Sequence, residues 1–200
     1  MSNTNYRSFL LIVGLLFVIT QSTIGQQTML SKGSEAPLFK TKASLSGKEC
    51  DFSLKKALSK GPVVVYFYPS AYTGGCDLEA HTFAEMKDQF TAAGATIIGV
   101  SADDIQRLNS FSSDPEYCAG KFPVASDPTG TIAATYGLIL RPANAAAKDV
   151  RGIQITHGFI PRTTFVIDKH RKVVAVFSSE TDHISPDEHV KKSLEIVKGL

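Results

Sequence analysis

The side chain best suited to chemistry in this sequence is the thiol of Cys76. It ends a short segment that begins at Pro69, contains Thr73 and two glycines, and directly follows an unbroken apolar run at residues 63–68. A continuous run of β-branched and aromatic residues predicts a strand buried on both faces. Ligand sites in α/β sheets lie where such a strand hands over to a helix, so we expect Cys76 at a functional position.

A helical pattern follows the glycines and predicts a helix over residues 73–93. Cys76 therefore lies in the first turn of this helix, where backbone N–H groups have no partner within the helix. Side chains three and four residues apart define one mostly apolar helix face. They are Cys76, Glu79, Ala80, Phe83, Met86, Lys87 and Phe90. We expect the sulfur to face inward with this set.

A cysteine in this position needs help to ionise. With an ordinary pKa near 8.5 only about 3% of the thiol is ionised at pH 7, and a pKa of about 6 requires about 3.4 kcal/mol. A helix amino terminus supplies about 0.3–1 kcal/mol, whereas a guanidinium at about 4 Å supplies up to about 4 kcal/mol. We expect Arg162 to provide it, because it directly precedes a predicted strand at residues 163–167. Arg141 and Arg151 lie in a looser stretch and are weaker candidates.

The pattern Pro69-x-x-x-Thr73-x-x-Cys76, with Arg162 before Thr-Thr-Phe-Val-Ile-Asp, resembles the peroxiredoxin family. The stretch Cys-Asp-Leu-Glu-Ala that begins at Cys76 is most similar to the bacterioferritin-comigratory, or Q-type, branch. The resemblance covers residues 30–200. It implies a thioredoxin-like three-layer α/β/α sandwich with a mixed central sheet, and a thiol-dependent peroxidase that serves antioxidant defence.

The resemblance also implies a role for each site residue. The Cys76 thiolate would attack a peroxide oxygen and become a sulfenic acid, releasing water or an alcohol. Thr73 and Arg162 would hold the peroxide oxygens as their bond lengthens, and Pro69 would shield the sulfur from water and over-oxidation. A thioredoxin-like or other thiol reductant would recycle the enzyme, and no cofactor is implied.

The cysteine that resolves the sulfenic acid is less well defined. Q-type relatives often carry it five residues after the first cysteine, where this chain has His81. Some relatives carry it in the region of the helix at 103–111, which makes Cys118, 42 residues after Cys76, our first choice. The alternatives that stay open are that Cys76 works alone, and that Cys118 forms a structural disulfide with Cys50. We expect Cys50 in a turn, as an exposed or structural thiol.

The remaining pattern predicts the elements that position these residues. Strand, helix, strand, helix, strand, and then a hairpin and a helix predict one α/β domain. Ser101 or Asp103 is expected to cap the third helix, and Ser185 the last. The expected elements are a hairpin within residues 30–52, a helical turn at 52–58, strands at 63–68, 95–101 and 122–125, helices at 73–93, 103–111 and 130–136, a hairpin of 163–167 with 173–177, and a helix at 186–197.

The first 25 residues differ from the rest of the chain. Arg7 is followed by an apolar run at residues 9–19 and then by small and polar residues. This pattern predicts a secretory signal peptide at residues 1–25, cut after Gly25, and a single domain at residues 26–200. We therefore expect an exported protein, periplasmic or secreted, without stable membrane association. An uncleaved amino-terminal anchor is the alternative.

Composition and spacing argue against other classes of protein. The net charge is only +2 with no basic run, which argues against nucleic-acid binding. The five histidines are scattered at spacings unlike metal motifs. We expect His170 in a solvated hairpin and His189 on the exposed face of the last helix, with His157 and His183 as candidates for the edge of the site.

Two rivals use the same fold. A thioredoxin-like disulfide oxidoreductase needs two cysteines separated by two residues, and Thr73 stands where the first would be. A non-catalytic thioredoxin-fold binding domain would have an unperturbed thiol. We expect either a monomer or a homodimer, because the sequence contains no recognisable pattern of a subunit interface.

Overall fold

The computed structural model describes Met1 and residues 28–200. Apart from Met1, the predicted signal peptide lies outside these residues, as do its cleavage site and the alternative anchor. Within the described part of the chain, no helix is both long enough and apolar enough to cross a membrane.

The described residues form seven strands and five helices, close to the predicted bounds. In chain order they are β1 (Lys40–Leu45), β2 (Lys48–Ser53), α1 (Leu54–Leu58), β3 (Val63–Phe67), α2 (Gly74–Ala92), β4 (Thr96–Ser101), α3 (Ile105–Ser113), β5 (Val124–Ser126), α4 (Thr131–Thr135), β6 (Thr163–Ile167), β7 (Val173–Ser178) and α5 (Pro186–Lys198).

All seven strands form one sheet in the order β2-β1-β5-β4-β3-β6-β7. Strands β3, β4 and β5 are parallel, and the other neighbouring pairs are antiparallel. Because β6 runs opposite to β3, with Thr163 beside Phe67, the start of β6 lies next to the end of β3. The predicted mixed sheet is confirmed, and its register brings Arg162 to the edge at which the segment 69–76 begins.

Helices cover both faces of this sheet. Val64 and Tyr66 of β3 point into one cluster of buried residues, the first core, which packs under α2, α3 and α5. Val63, Val65 and Phe67 point into the second core, under α1 and α4. Alternation along a strand sends successive side chains to opposite faces, so β3 is buried on both sides. The predicted three-layer sandwich is confirmed.

The cap of α3 differs from the prediction. The carboxylate of Asp104, rather than Ser101 or Asp103, accepts a hydrogen bond of 2.7 Å from the backbone N–H of Arg107. Asp103 is fully buried and its carboxylate is bound elsewhere. Helix α5 begins after Ser185 with a proline in its first turn, as predicted.

The prediction that His189 lies on an exposed helix face is wrong. Its side chain is fully buried where α5 packs on the sheet, with one ring nitrogen 2.9 Å from Thr164 Oγ1 and the other 2.9 Å from Ser179 Oγ. Burial, reinforced by the charge of Arg162, lowers the pKa of His189 to about 4, so the ring is neutral at pH 7. His170 is exposed, as expected.

Candidate active site

The start of α2 positions Cys76. Thr73 is the N-cap residue in an extended conformation, and its carbonyl accepts from the N–H groups of Cys76 at 2.7 Å and Asp77 at 2.9 Å. Cys76 is therefore in the first helical turn, and only 2% of it is exposed. The local pattern of apolar strand, proline and glycines predicted this placement correctly.

Arg162 reaches the sulfur from the neighbouring strand. Its Nη2 lies 3.1 Å from Cys76 Sγ, and the guanidinium is nine-tenths buried. A Cβ on Gly75 would lie 3.1 Å from the same Nη2, so a glycine here lets the guanidinium approach. The structure brings together the two residues that the sequence paired over 86 positions. Arg141 is paired with Glu180 instead, and Arg151 lies over the ring of Tyr72.

The structure adds Glu79, to which the sequence analysis assigned no role. Its carboxylate is completely buried and forms an ion pair with Nη1 of Arg162. Burial raises the pKa of Glu79 to about 7, against the opposing pull of Arg162. The available signal was a carboxylate three residues after Cys76 on a mostly apolar helix face. One cation therefore serves two groups, the thiol and this carboxylate.

The pKa of Cys76 differs from the expected value near 6. Burial raises the pKa of Cys76 above its ordinary value, and this outweighs the lowering by Arg162, the Thr73 side chain and the Ser70 backbone. The sequence argument included the cation but neither the full burial of the sulfur nor the competing Glu79. The guanidinium is in place, but the burial of the sulfur holds back its ionisation.

Thr73 and Pro69 complete the expected set. The Thr73 hydroxyl donates a 2.8 Å hydrogen bond to the carbonyl of Ser70, within the segment that leads to Cys76. Pro69 is half-buried and lies just beyond the end of β3. The predicted residues Pro69, Thr73, Cys76 and Arg162 thus meet at one strand-to-helix junction, whereas Cys118 belongs to a different segment.

Cys118 lies in the turn that follows α3. It is fully buried, and burial raises its pKa well above the ordinary value, with Asp114 and Asp77 adding to the rise. Cys76 and Cys118 both belong to the first core, and both are free thiols. A pairing of these two sulfurs requires one of the segments to move.

Cys50 lies apart from the other two cysteines. It is in β2, opposite Ala43, and not in a turn as predicted. It is half-buried against the second core, whereas Cys118 is in the first core, on the other face of the sheet. The sheet therefore separates Cys50 from Cys118, which argues against a structural disulfide between them.

The other polar candidates divide between the site and the surface. His157 lies 2.8 Å from the buried carboxylate of Asp103, which also binds the segment before Cys76, so His157 does border the site. His183 is exposed, and His81 contacts the carbonyl of Glu116 at 2.9 Å. Among the described residues, no group of three or more histidine, cysteine or acidic side chains is arranged to hold a metal ion.

This arrangement favours one kind of chemistry. A single buried sulfur beside a fixed guanidinium, with a hydroxyl in the preceding segment, can attack an electrophile and stabilise the negative charge that develops on a leaving oxygen. A disulfide oxidoreductase would need a second cysteine at the position of Thr73. The fold and the site are therefore those of a thiol enzyme, with the cysteine in the first turn of α2 as the candidate nucleophile.

Known proteins share this fold and sequence. The AhpC/TSA family pattern matches residues 32–176. A putative peroxiredoxin of Mycobacterium tuberculosis is 35% identical over 147 residues, which cover 74% of this chain and 84% of that protein. A chloroplastic peroxiredoxin Q of Oryza sativa subsp. japonica is 30% identical over 184 residues, 90% of this chain and 74% of that protein.

Solved structures agree. The crystal structure of peroxidoxin BcpB from M. tuberculosis has a TM-score of 0.68 and 31% identity, over 86% of this chain and 98% of that one. A bacterioferritin comigratory protein of Xanthomonas campestris, studied for its alkyl peroxide reduction activity, has a TM-score of 0.59 and 26% identity, over 79% of this chain and 90% of that one. The chain belongs to the AhpC/TSA family of peroxiredoxins, with Q-type relatives, and is a thiol-dependent peroxidase with an antioxidant function.

Proposed function

We propose that Cys76 is the sulfur that attacks the peroxide. Its thiolate bonds to the terminal peroxide oxygen, the O–O bond breaks, and the sulfur is oxidised to a sulfenic acid. The departing oxygen takes up a proton and leaves as water or an alcohol. The observation that carries this proposal is the 3.1 Å contact between Arg162 Nη2 and the buried Sγ of Cys76.

Thr73 and Arg162 then act on the transition state. A change of thiol pKa from about 8.5 to about 6 gains only about 30-fold in thiolate, so ionisation alone supplies too little acceleration. Arg162 holds the negative charge that builds on the leaving oxygen, and Thr73 turns its hydroxyl from the Ser70 carbonyl to the peroxide. Pro69 covers the sulfur and limits its further oxidation.

Cys118 is our choice for the resolving cysteine. Its thiol attacks the sulfenic sulfur of Cys76, a disulfide forms, and water leaves with the proton of the thiol. Both sulfurs are buried in the first core, so the turn after α3 must open for them to meet at about 2 Å. That turn contains Ala119 and Gly120, both with positive φ, and its opening must break the hydrogen bonds from their N–H groups to the carbonyls of Asp114 at 2.9 Å and Ser112 at 2.8 Å.

A one-cysteine cycle is the competing scheme. In it, an external thiol attacks the Cys76 sulfenic acid directly and Cys118 is only a packing residue. The complete burial of Cys118 favours this scheme, because a buried thiol with a raised pKa is a poor nucleophile.

Non-reducing mass spectrometry after one equivalent of peroxide separates these schemes. A Cys76–Cys118 link supports the two-cysteine cycle, and a sulfenic acid trapped at Cys76 supports the one-cysteine cycle. Cys76→Ser should abolish peroxide consumption, and Cys50→Ser is the matched control that should retain it. Full activity in Cys76→Ser, or an unmodified Cys76 after peroxide, would overturn the proposed role of this sulfur.

The substrates and the reductant are inferred from the family. We infer that hydrogen peroxide and organic hydroperoxides are both reduced, and that a thioredoxin-like protein returns the oxidised enzyme to the thiol state. The alkyl peroxide reduction activity of the X. campestris relative supports the organic substrates. Peroxide consumption coupled to thioredoxin and its reductase tests the reductant, and sedimentation of the reduced protein distinguishes a monomer from a homodimer.

We also propose that the protein is exported by its first 25 residues, which carry the charge and hydropathy pattern of a signal peptide. Sequencing the amino terminus of the mature protein should find residue 26 first. An intact terminus in a membrane fraction would instead support the uncleaved anchor.

A further inference from the structure

The carboxylate of Asp103 is fully buried beside the active-site segment. Asp103 follows β4, and its side chain has no solvent exposure. One of its oxygens accepts a 2.8 Å hydrogen bond from the N–H of Ala71 and a 2.7 Å hydrogen bond from Ser101. The other accepts a 2.9 Å hydrogen bond from the hydroxyl of Ser70. One buried anion therefore holds two consecutive residues of the segment that leads from β3 to Cys76.

Ser70 in turn contacts the groups that do the chemistry. Its carbonyl accepts the Thr73 hydroxyl at 2.8 Å, and its backbone favours the ionised form of Cys76 by hydrogen bonding. A displacement of Ser70 would therefore move both the hydroxyl and the thiol environment. Asp103 acts on the reaction through Ser70 and touches neither sulfur nor peroxide, which makes it a positioning residue.

The segment needs such a hold because part of its backbone is strained. Tyr72 has a φ of 59°, in the left-handed region that side chains with a Cβ avoid. Its carbonyl accepts a 2.9 Å hydrogen bond from the N–H of Val150, and Arg151 stacks over its ring at 3.3 Å. Strained residues persist where their surroundings over-determine them.

His157 binds the same carboxylate oxygen that accepts from Ser70, and its Nε2 lies 3.4 Å from the Ser70 hydroxyl. Its Nε2 lies 2.8 Å from Asp103, and its Nδ1 lies 2.7 Å from the carbonyl of Gly158. Both neighbours are acceptors, and only the doubly protonated ring can donate to both. The geometry therefore favours an imidazolium that pairs with the carboxylate.

Arg107 of α3 brings a second cation to the same cluster. Its guanidinium lies 2.8 Å from Asp103 and 2.9 Å from Asp149, and it donates a 2.7 Å hydrogen bond to the carbonyl of Ala71. Across the adjoining cavity of about 390 Å³, the other charged side chains are Asp104 and Arg151. The two cations Arg107 and protonated His157 thus balance the two buried anions Asp103 and Asp149, and we call these four residues the clamp.

We propose that Asp103, paired with protonated His157, is a positioning residue of the peroxidase reaction that holds Ser70 and Ala71 so that Thr73 and Cys76 are aligned for attack. The inference rests on the proposed role of Cys76. The proposal adds Asp103 and His157, which are distant in sequence from the segment 69–76. Their charges affect the rate at which peroxide oxidises Cys76.

Asp103→Asn tests this with little change in volume. We expect the rate of Cys76 oxidation by hydrogen peroxide to fall about 10- to 100-fold, as small misplacements of reacting groups do. The midpoint of Cys76 alkylation against pH should rise, because the Ser70 backbone contact with the thiolate is weakened. The matched control is Asp127→Asn, which removes a buried carboxylate that accepts from the N–H groups of Ile132 and Ala133 in α4 and not from the segment that leads to Cys76.

A structural effect alone would not reproduce this result. Asp127→Asn should lower the melting temperature but leave both the oxidation rate and the alkylation profile within about twofold of the parent. If Asp103→Asn behaves like Asp127→Asn, or oxidises at the parental rate, the inference is overturned.

His157→Gln keeps the test open if Asp103→Asn fails to fold, because it removes only one partner of the carboxylate. We expect a smaller loss of oxidation rate, of about 3- to 10-fold at pH 7. A rate equal to that of the parent would overturn the inference. Cys76→Ser, assayed in parallel, separates the two proposals: an active Cys76→Ser refutes the role of Cys76, whereas an inactive Cys76→Ser with parental rates in the clamp variants refutes only the clamp.

Discussion

Arg162 and Cys76, 86 positions apart in the chain, lie with Nη2 and Sγ 3.1 Å from each other. The contact exists because β6 starts beside the end of β3. The same guanidinium also pairs with the buried carboxylate of Glu79. The pKa of the thiol is lowered by a cation that the thiol shares with a second group.

Arg162→Gln should lower the second-order rate of peroxide reduction by about 100- to 1,000-fold, the usual loss when one donor to a developing oxyanion is removed. It should also raise the midpoint of Cys76 alkylation against pH, because the guanidinium favours the thiolate. Stopped-flow oxidation and alkylation rates measure the two effects. Arg141→Gln, which breaks only the exposed pair with Glu180, is the control, and equal losses in both variants would contradict the role of Arg162.

Glu79→Gln should shift the alkylation midpoint of Cys76 to lower pH. The variant keeps the volume of the side chain but removes the negative charge that competes with the thiolate for Arg162. Alkylation rates between pH 5 and pH 10 measure the shift. Glu85→Gln changes an exposed carboxylate of the same helix and should leave the midpoint in place. A midpoint that rises in Glu79→Gln would show that the carboxylate acts by orienting Arg162 and not by competing for it.

His157 should contribute stability that declines as the pH rises. Burial acts to lower its pKa, but Asp103 outweighs burial and holds the pKa above the ordinary value near 6.5. Its contribution is thus complete below about pH 6.5 and is lost as the pH rises through the raised pKa. Urea unfolding of the parent and of His157→Gln should give curves whose separation narrows from pH 6 to pH 9. A separation that stays constant or widens would show that His157 is not an imidazolium in the folded protein. The control is His170→Gln in the exposed turn, whose unfolding curves should coincide with those of the parent at every pH.

Ala119→Gly should slow formation of the Cys76–Cys118 disulfide. Ala119 has a φ of 50°, which costs a residue with a Cβ about 1–2 kcal/mol, and glycine removes this cost from the closed turn. Glycine also has greater conformational freedom in the opened turn, which stabilises the opened state and offsets part of this effect. We therefore expect the rate of disulfide formation to fall by about fivefold at most. His183→Gly, at a φ of 54° in the exposed segment before α5, is the control. A faster disulfide would rule out strain in this turn as an aid to its opening.

Much of the site could be predicted from local sequence. The apolar run before Pro69 and the periodic pattern after Gly75 determine a strand, a sharp turn and a helix, so Cys76 falls in the first helical turn. The arginine before a second buried strand was identifiable because an antiparallel neighbour starts where the central strand ends. These features depend on residues close in sequence or on strand order.

Burial and long-range pairing were decided only by the tertiary structure. The sequence pattern predicted His189 at the surface, but its side chain is buried. Which face of α5 points inward depends on the strands that the helix packs against. Within the clamp, Asp103 and His157 are 54 positions apart, and no periodicity links them. The pKa of Cys76 depends on its desolvation and on the carboxylate that shares Arg162. Sequence order determined which groups stand at the junction of strand and helix, whereas packing determined how far each group is removed from water and which charges it meets there.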